Sequence, residues 1–235
     1  MNATQDTTIK KGIIRWLARE TLGNIVVIGI LFGITGRWDW WMGWALSGMY
    51  ILLTALSAIF ILPVNPSMLV ERAQPHTDKR KWDTTLVGIM GILMLFEYAL
   101  ASLDVRMGWT PQLPFAIQIF GLVAAVVSYD FLIVWAMVSN TFFVTTVRIQ
   151  TDRQHSVISN GPYRYIRHPG YLGILLMHLS VPLMLNSLWA FIPAFLIAVI
   201  LVARTTLEDK TLHTELPGYE DYAERVRYRL LPGLW

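Results

Sequence analysis

A chain of 235 residues that is 54% hydrophobic and 15% charged, with a mean hydropathy of +0.48, lacks the polar surface of a soluble domain and reads as an all-α membrane protein. Cysteine is absent, which excludes disulfides, thiolate-ligated metals, a thiol nucleophile and thiol lipidation of the chain itself. The net charge of +3 carries less information than the placement of the cations, and no nucleic-acid partner is expected.

In chain order, four apolar runs approach the roughly 20 residues that a helix needs to cross about 30 Å of hydrocarbon. They are Trp16 to Thr35, Trp40 to Leu62, Thr84 to Leu103 and Phe115 to Ser139. The first lies too close to Arg15, Arg19 and Glu20, and is too long, for a removable leader, so it is expected to be retained. Glu97 in the third run and Asp130 in the fourth are intramembrane carboxylates, each of which demands a partner or a proton. A polar stretch follows, ending in G-P-Y-R-Y-I-R-H-P-G-Y from Gly161 to Tyr171.

From Tyr171 to Ala203 the chain is apolar for 33 residues, too long for one upright helix and too short for two full crossings with a connector. A helical hairpin turning at Asn186-Ser187 is expected, with Pro182 and Pro193 interrupting the hydrogen-bond ladder and bending both arms. The tail from Thr205 to Arg225 reads as an amphipathic helix broken at Pro217-Gly218, with Arg204, Glu208 and Leu212 on one face. Its neighbour Asp209 points about 100° away and is given no role. The expected fold is therefore a polytopic helical bundle of four spans plus a C-terminal hairpin and an amphipathic tail. It forms a single domain over 1–235, with 1–139 as the four-span half and 140–235 as the half that carries chemistry.

Of the 19 Lys and Arg, all but Arg37 and Arg106 fall on one side of this topology, in the N-terminus, in Arg72 with Lys79, Arg80 and Lys81, in the segment after the fourth span, and in the tail. By the positive-inside rule that side is cytoplasmic, and both termini and the G-P-Y-R-Y-I-R-H-P-G-Y segment lie there. The hairpin brings Arg167-His168-Pro169 and Arg204 to Glu208 to the same membrane face. Pro169 disfavours helix at His168, holding the imidazole at a helix start, amid Tyr163, Arg164, Tyr165 and Tyr171. No H-E-x-x-H or i, i+4 histidine pair occurs, so no metal is expected.

These residues have a familiar arrangement. V-R-I-Q at 147 to 150, His155, G-P-Y-R-Y-I-R-H-P-G-Y, the spacing to Glu208, and the ending E-L-P-G-Y-E-D-Y-A-E-R-V-R-Y-R-L-L-P-G-L-W resemble the isoprenylcysteine carboxyl methyltransferase family, in its bacterial type. The resemblance implies S-adenosylmethionine as cofactor. It implies a cofactor pocket built from Gln150, His155, Ser156, Val157, Ile158, Tyr163, His168, Pro169, Gly170, Tyr171 and Glu208, and a substrate-contacting Arg204, with Arg204 and Glu208 as the catalytic pair. The implied reaction is methyl transfer to a lipophilic acceptor, such as the carboxylate of a prenylated cysteine, in a bacterial inner membrane. Membrane sterol reductases that use NADPH share the R-H-P-x-Y theme and form the rival reading, as does a noncatalytic scaffold. A lipid amine or small thiol is the alternative acceptor.

Overall fold

The computed structural model describes residues 3–74 and 80–235, so that Lys79 of the basic inventory lies outside the described residues. Its first helix, α1 (Ala3–Thr35), is followed by α2 (Trp41–Phe60), a short α3 (Pro66–Ala73) and α4 (Lys81–Met107). The fourth expected span is one continuous rod in three parts. These are α5 (Phe115–Ala125), a π-helical segment (Val126–Leu132) and α6 (Ile133–Ser139). A largely irregular stretch then leads to α7 (Pro169–Met184), α8 (Phe191–Glu215) and α9 (Tyr219–Arg225). Five of the helical rods are long and apolar enough to cross a membrane, and the whole is a polytopic helical membrane bundle.

The hairpin forms with its turn where expected, but its arms differ from the expectation in two respects. Pro193 does not bend the second arm. It sits in the first turn of α8, where a missing N–H costs no intrahelical bond because the first four donors have no acceptor there. The second arm also does not end at Ala203. With no breaker between Leu201 and Leu212, α8 runs on to Glu215, so arm and amphipathic tail are one helix. The break falls at Leu216–Gly218, where Gly218 takes φ 81° before α9 begins.

Contacts at the hairpin turn fix which end is which. Asn186 Oδ1 accepts from the Leu113 N–H at 2.7 Å, and the Ser187 hydroxyl donates to Asp104 Oδ2 at 2.6 Å, so the turn lies against the connection between α4 and α5. Arg37, Arg106 and the exposed indoles Trp38, Trp41, Trp44, Trp109 and Trp189 share this end, as an aromatic belt at an interface would. The starts of α4 and α7 and the ends of α6 and α8 gather at the opposite end.

Packing of α7 is unusually close. A Cβ at Gly121 would meet the Met184 backbone nitrogen at 2.5 Å, and one at Gly173 would meet the Ser128 carbonyl oxygen at 2.6 Å, so these two glycines let α7 press against α5 and the π-helical segment. Leu31, Leu46, Tyr98, Met177, Val181 and Met184 fill the core at that half, each at most 1% exposed. Large apolar side chains such as Ile51, Ile92, Phe120, Phe131 and Val199 face outward. In water such faces would aggregate, and in a bilayer they are solvated.

Candidate functional site

At the end opposite the indole belt, the irregular stretch 140–168 folds across the ends of α6 and α8. Its course is set by local polar anchors. Phe142 N–H donates to Asn140 Oδ1 at 2.8 Å, and Asn140 Nδ2 donates to the Tyr163 hydroxyl at 3.2 Å. Gly161 has φ 55°, and a Cβ there would lie 2.0 Å from Ser139 Oγ; both the left-handed backbone and the contact require glycine. Pro169 occupies the first turn of α7, and His168 precedes it with φ −126° and ψ 61°, outside the helical region, as a residue before proline should be.

Behind His168 lies a buried hub that the sequence reading left out. Asp209, 0% exposed, accepts from Arg167 Nε at 2.9 Å and NH2 at 3.0 Å, from His168 Nε2 at 3.2 Å, from the Tyr219 hydroxyl at 2.8 Å and from Arg229 Nε at 2.9 Å. Glu208 does point elsewhere, as its 100° offset requires, but both faces of α8 are covered at this end. The R-H-P element and the tail wrap one face, and the cleft opens beside the other. The cue available in the sequence was the pair Tyr219 and Arg229 beyond the helix break, which need an inward-facing acid.

Glu208 accepts a hydrogen bond from the Tyr171 hydroxyl, and the Tyr171 ring stacks on His168 with centroids 5.7 Å apart and planes 5° apart. Arg204 lies over the same tyrosine ring, 4.8 Å from its centroid. Its Nε donates to Asp83 Oδ1 at 2.7 Å, and its NH2 donates to the Thr145 carbonyl at 2.8 Å. Asp83, at the start of α4 and 0% exposed, also accepts from Val147 N–H at 2.7 Å. This second buried acid was missed because an Asp in the first turn of a helix reads as ordinary dipole complementation.

These groups surround a partly open cleft. Nine expected residues line it together: His155, Ser156, Val157, Ile158, Tyr163, His168, Gly170, Tyr171 and Glu208. Three do not. Pro169 sets the start of α7. Gln150, 0% exposed, supports the wall by donating to the Phe142 carbonyl at 2.7 Å and accepting from Arg153 at 2.7 Å. Arg204, 5% exposed, is not among the residues lining the cleft; it stands behind Tyr171, and Asp83 and the Thr145 carbonyl take two of its N–H donors.

The electrostatics of the cleft are uneven. His155 is held to a pKa of about 4, first by burial and then by the charges of Arg148 and Arg153. Its Nδ1 accepts from the Gln150 N–H at 3.3 Å, which also requires the neutral ring with the proton on Nε2. Burial raises Tyr163 and Tyr222 as well, so both phenols stay protonated. Glu208 forms no ion pair among the described residues, and Thr146 Oγ1 on the cleft wall is buried without a hydrogen-bond partner. The two arginines of the lining are paired with acids, Arg148 with Glu71 and Asp152 and Arg167 with Asp209, so a lone carboxylate, an orphaned hydroxyl and the Phe142 and Phe143 rings are left to meet a cationic, hydrogen-bonding ligand with an aromatic part.

The intramembrane groups stand apart from this cleft. His178 Nδ1 and Glu97 Oε2 are 2.6 Å apart, which supplies the partner that each needs. Asp130, in the π-helical segment, is 0% exposed, and neither of its carboxyl oxygens has a partner.

Comparison with known proteins matches residues 122–214 to the isoprenylcysteine carboxyl methyltransferase (ICMT) family. Two rice proteins, from Oryza sativa subsp. indica and subsp. japonica, each described as "Probable protein-S-isoprenylcysteine O-methyltransferase", are 31% identical to it over 91 residues. That alignment takes in 36% of this chain and 45% of each relative, so the chain spans less than half the length of the curated relatives it matches. The matched segment contains α6, α7, the R-H-P element and α8 through Glu208, which supply most of the cleft wall, while Leu216, Tyr219 and Tyr222 of the wall lie beyond it. Over this segment the chain is similar to that family; the segment includes V-R-I-Q, His155, the R-H-P element and Glu208, and stops before the ending that starts at Glu215.

Proposed function

We propose, from the premise that the cleft-building segment is of the ICMT family, that this chain is a membrane methyltransferase using S-adenosylmethionine. The acceptor is a carboxylate on a lipophilic molecule, a prenylated cysteine being the one the relatives' names indicate. The observation that carries the reading is the meeting of His168 and Tyr171, at the start of α7, with Glu208, some 40 residues on in sequence, around one cleft at one end of the bundle. The concentration of Lys and Arg at that end supports a cytoplasmic cleft.

The methyl donor supplies an electrophilic methyl group on a positively charged sulfur. The chain's own residues do the rest by binding and alignment. Glu208, kept in place by Tyr171, offers a negative charge to a cationic ligand, and the Thr146 hydroxyl and the Ser156 side chain offer hydrogen bonds. Neutral His155 adds no competing positive charge. Arg204, Asp83 and Asp209 are positioning residues, since they act on the cleft through Tyr171, Val147 and His168. No general base is needed for a carboxylate acceptor, which has a pKa of about 3.5 to 4 and is already ionised. As methyl passes from a cation to an anion, charge is neutralised, so the apolar walls favour the reaction, and alignment is the main task of the protein.

Calorimetry of the purified protein in detergent is expected to show one S-adenosylmethionine bound per chain. Failure to bind would contradict the reading. Incubation with lipid extract and methyl-labelled donor then identifies the acceptor. A carboxylate acceptor gives a rate that is flat above about pH 6, whereas a thiol or amine gives a rate that keeps rising.

A further inference from the structure

Beyond α9 the last ten residues do not trail away but fold back against the R-H-P element. Arg167 N–H donates to the Tyr228 carbonyl at 2.9 Å and His168 N–H to the Arg229 carbonyl at 3.0 Å. The Arg167 guanidinium donates in turn to the Val226 and Arg227 carbonyls at 2.8 and 3.0 Å. Leu230, 2% exposed, is driven into the apolar cluster of Leu175, Ile197 and Leu201 between α7 and α8. The chain then reverses at Pro232-Gly233, with Gly233 at φ 83°, which suits glycine in the third position of a type II turn after proline. The reversal brings the Trp235 main-chain oxygen within 3.0 to 3.2 Å of the N–H groups of Arg229, Leu230 and Leu231. It also lays the Trp235 ring under the Arg229 guanidinium, 5.1 Å from its centroid.

Arg229 is thus fixed on two sides, by an aromatic face and by Asp209, to which its Nε donates at 2.9 Å. We propose that this C-terminal turn is a clasp that sets the ligand-binding geometry of the cleft, with Arg229 and Trp235 as positioning residues that act through Asp209. The route is a chain of contacts. Trp235 holds Arg229, Arg229 and Arg167 hold Asp209, and Asp209 holds the His168 ring. His168 stacks on Tyr171, whose hydroxyl holds Glu208 at the cleft. None of the residues beyond Tyr222 touches the cleft itself, so an effect on ligand affinity has to travel this way. The tail would then be part of the binding apparatus although it lies beyond residues 122–214, which the family comparison covers.

The inference rests on the cleft being the methyl-donor site, and its test separates the two. S-adenosylhomocysteine is titrated calorimetrically into the full-length chain in detergent, as wild type and as Arg229→Gln, Arg229→Lys, Trp235→Leu and Leu234→Ala, with the melting temperature of each recorded. Expected is at least tenfold weaker binding for Arg229→Gln, partial recovery in Arg229→Lys, three- to tenfold weakening for Trp235→Leu, and no change for Leu234→Ala, whose side chain is 78% exposed. A merely structural tail would lower the melting temperature while the folded fraction bound with wild-type affinity, and that result overturns the clasp. Should Arg229→Gln fail to fold, Trp235→Leu decides, because it keeps both charges of the Arg229–Asp209 pair and removes only the aromatic face that holds the guanidinium in place on Asp209; unchanged affinity there overturns the clasp equally. If wild type itself does not bind, the donor reading falls and the clasp with it.

Discussion

Asp209 and Asp130 are both 0% exposed, yet they live in opposite surroundings. Asp209 accepts hydrogen bonds from Arg167, His168, Tyr219 and Arg229. Asp130 accepts none. The first sits where a loop, a helix start and a tail converge, so that donors arrive from three segments of the chain. The second sits in a π-helical segment inside the bundle, where helices have satisfied their own backbone groups and offer few donors. Burial alone therefore says little about a carboxylate's role; what matters is whether its neighbours require its charge. Four substitutions or titrations test this contrast.

The largest effect is expected at the hub. Asp209→Asn keeps the shape and removes the charge that Arg167 and Arg229 both use, and breaking a buried pair in this way costs about 3–5 kcal/mol. For a chain of this size that is a fall in melting temperature on the order of 10 °C, readable by thermal unfolding in detergent. Loss of S-adenosylhomocysteine binding should accompany it, because His168 loses its anchor. A drop of only a degree or two would mean that Asp209 is as dispensable as its counterpart in the bundle.

Next comes the residue that Asp209 adjoins. Glu208 lies toward the cleft with Tyr171 as its hydrogen-bond partner, so Glu208→Gln leaves no buried charge unpaired, and the fold should be little affected. What it removes is a charged hydrogen-bond acceptor for the ligand, worth about 1.5–3 kcal/mol, or roughly ten- to a hundredfold in the donor dissociation constant. The two neighbouring acids should thus divide cleanly, with stability lost at Asp209 and affinity lost at Glu208.

That division marks where the sequence could be read and where it could not. Apolar run lengths gave the four spans and the hairpin turn because crossing a bilayer is a constraint on length, visible locally. The motif residues His155, Tyr163, His168, Tyr171 and Glu208 met in one cleft because each lies at a helix end or in the loop packed across it, and the hairpin returns those ends to one face. Asp83 and Asp209 escaped because their meaning depends on partners such as Arg204 and Arg229 whose positions only the folded chain reveals. Local rules also misjudged Pro193, since a proline's effect depends on whether it falls in the first turn or beyond it. The π-helical segment V-V-S-Y-D-F-L has no cue distinguishing it from ordinary helix.

A smaller effect is expected from pH. In the unfolded chain His155 titrates near 6.5, and in the fold near 4. Between those values the unfolded chain holds the extra proton, so stability contributed by neutral His155 is complete above about pH 6.5 and is lost as pH falls toward 4, with a slope of at most about 1.4 kcal/mol per pH unit. Melting temperatures measured from pH 7.5 to 5 should fall more steeply for wild type than for His155→Gln. Parallel curves would show that His155 does not carry the dependence.

The smallest effect should come from Asp130→Asn. If a buried carboxyl has no donor to either oxygen, replacing it with an amide of nearly the same shape forfeits no hydrogen bond and relieves the need to keep a charge in hydrocarbon. The new N–H2 group can itself turn toward backbone carbonyls of the π-helical segment, where the altered ladder alters the spacing of acceptors. Melting temperature within about 2 °C of wild type, and unchanged S-adenosylhomocysteine affinity, are therefore expected, against the several-fold larger loss for the same chemical change at Asp209. A strong loss of stability at Asp130 would mean that its oxygens are in fact held, by ordered water inside the bundle, and would move this residue to the same class as the hub. A loss of turnover with stability and affinity intact would instead tie Asp130 to the acceptor, as a base for an amine or thiol.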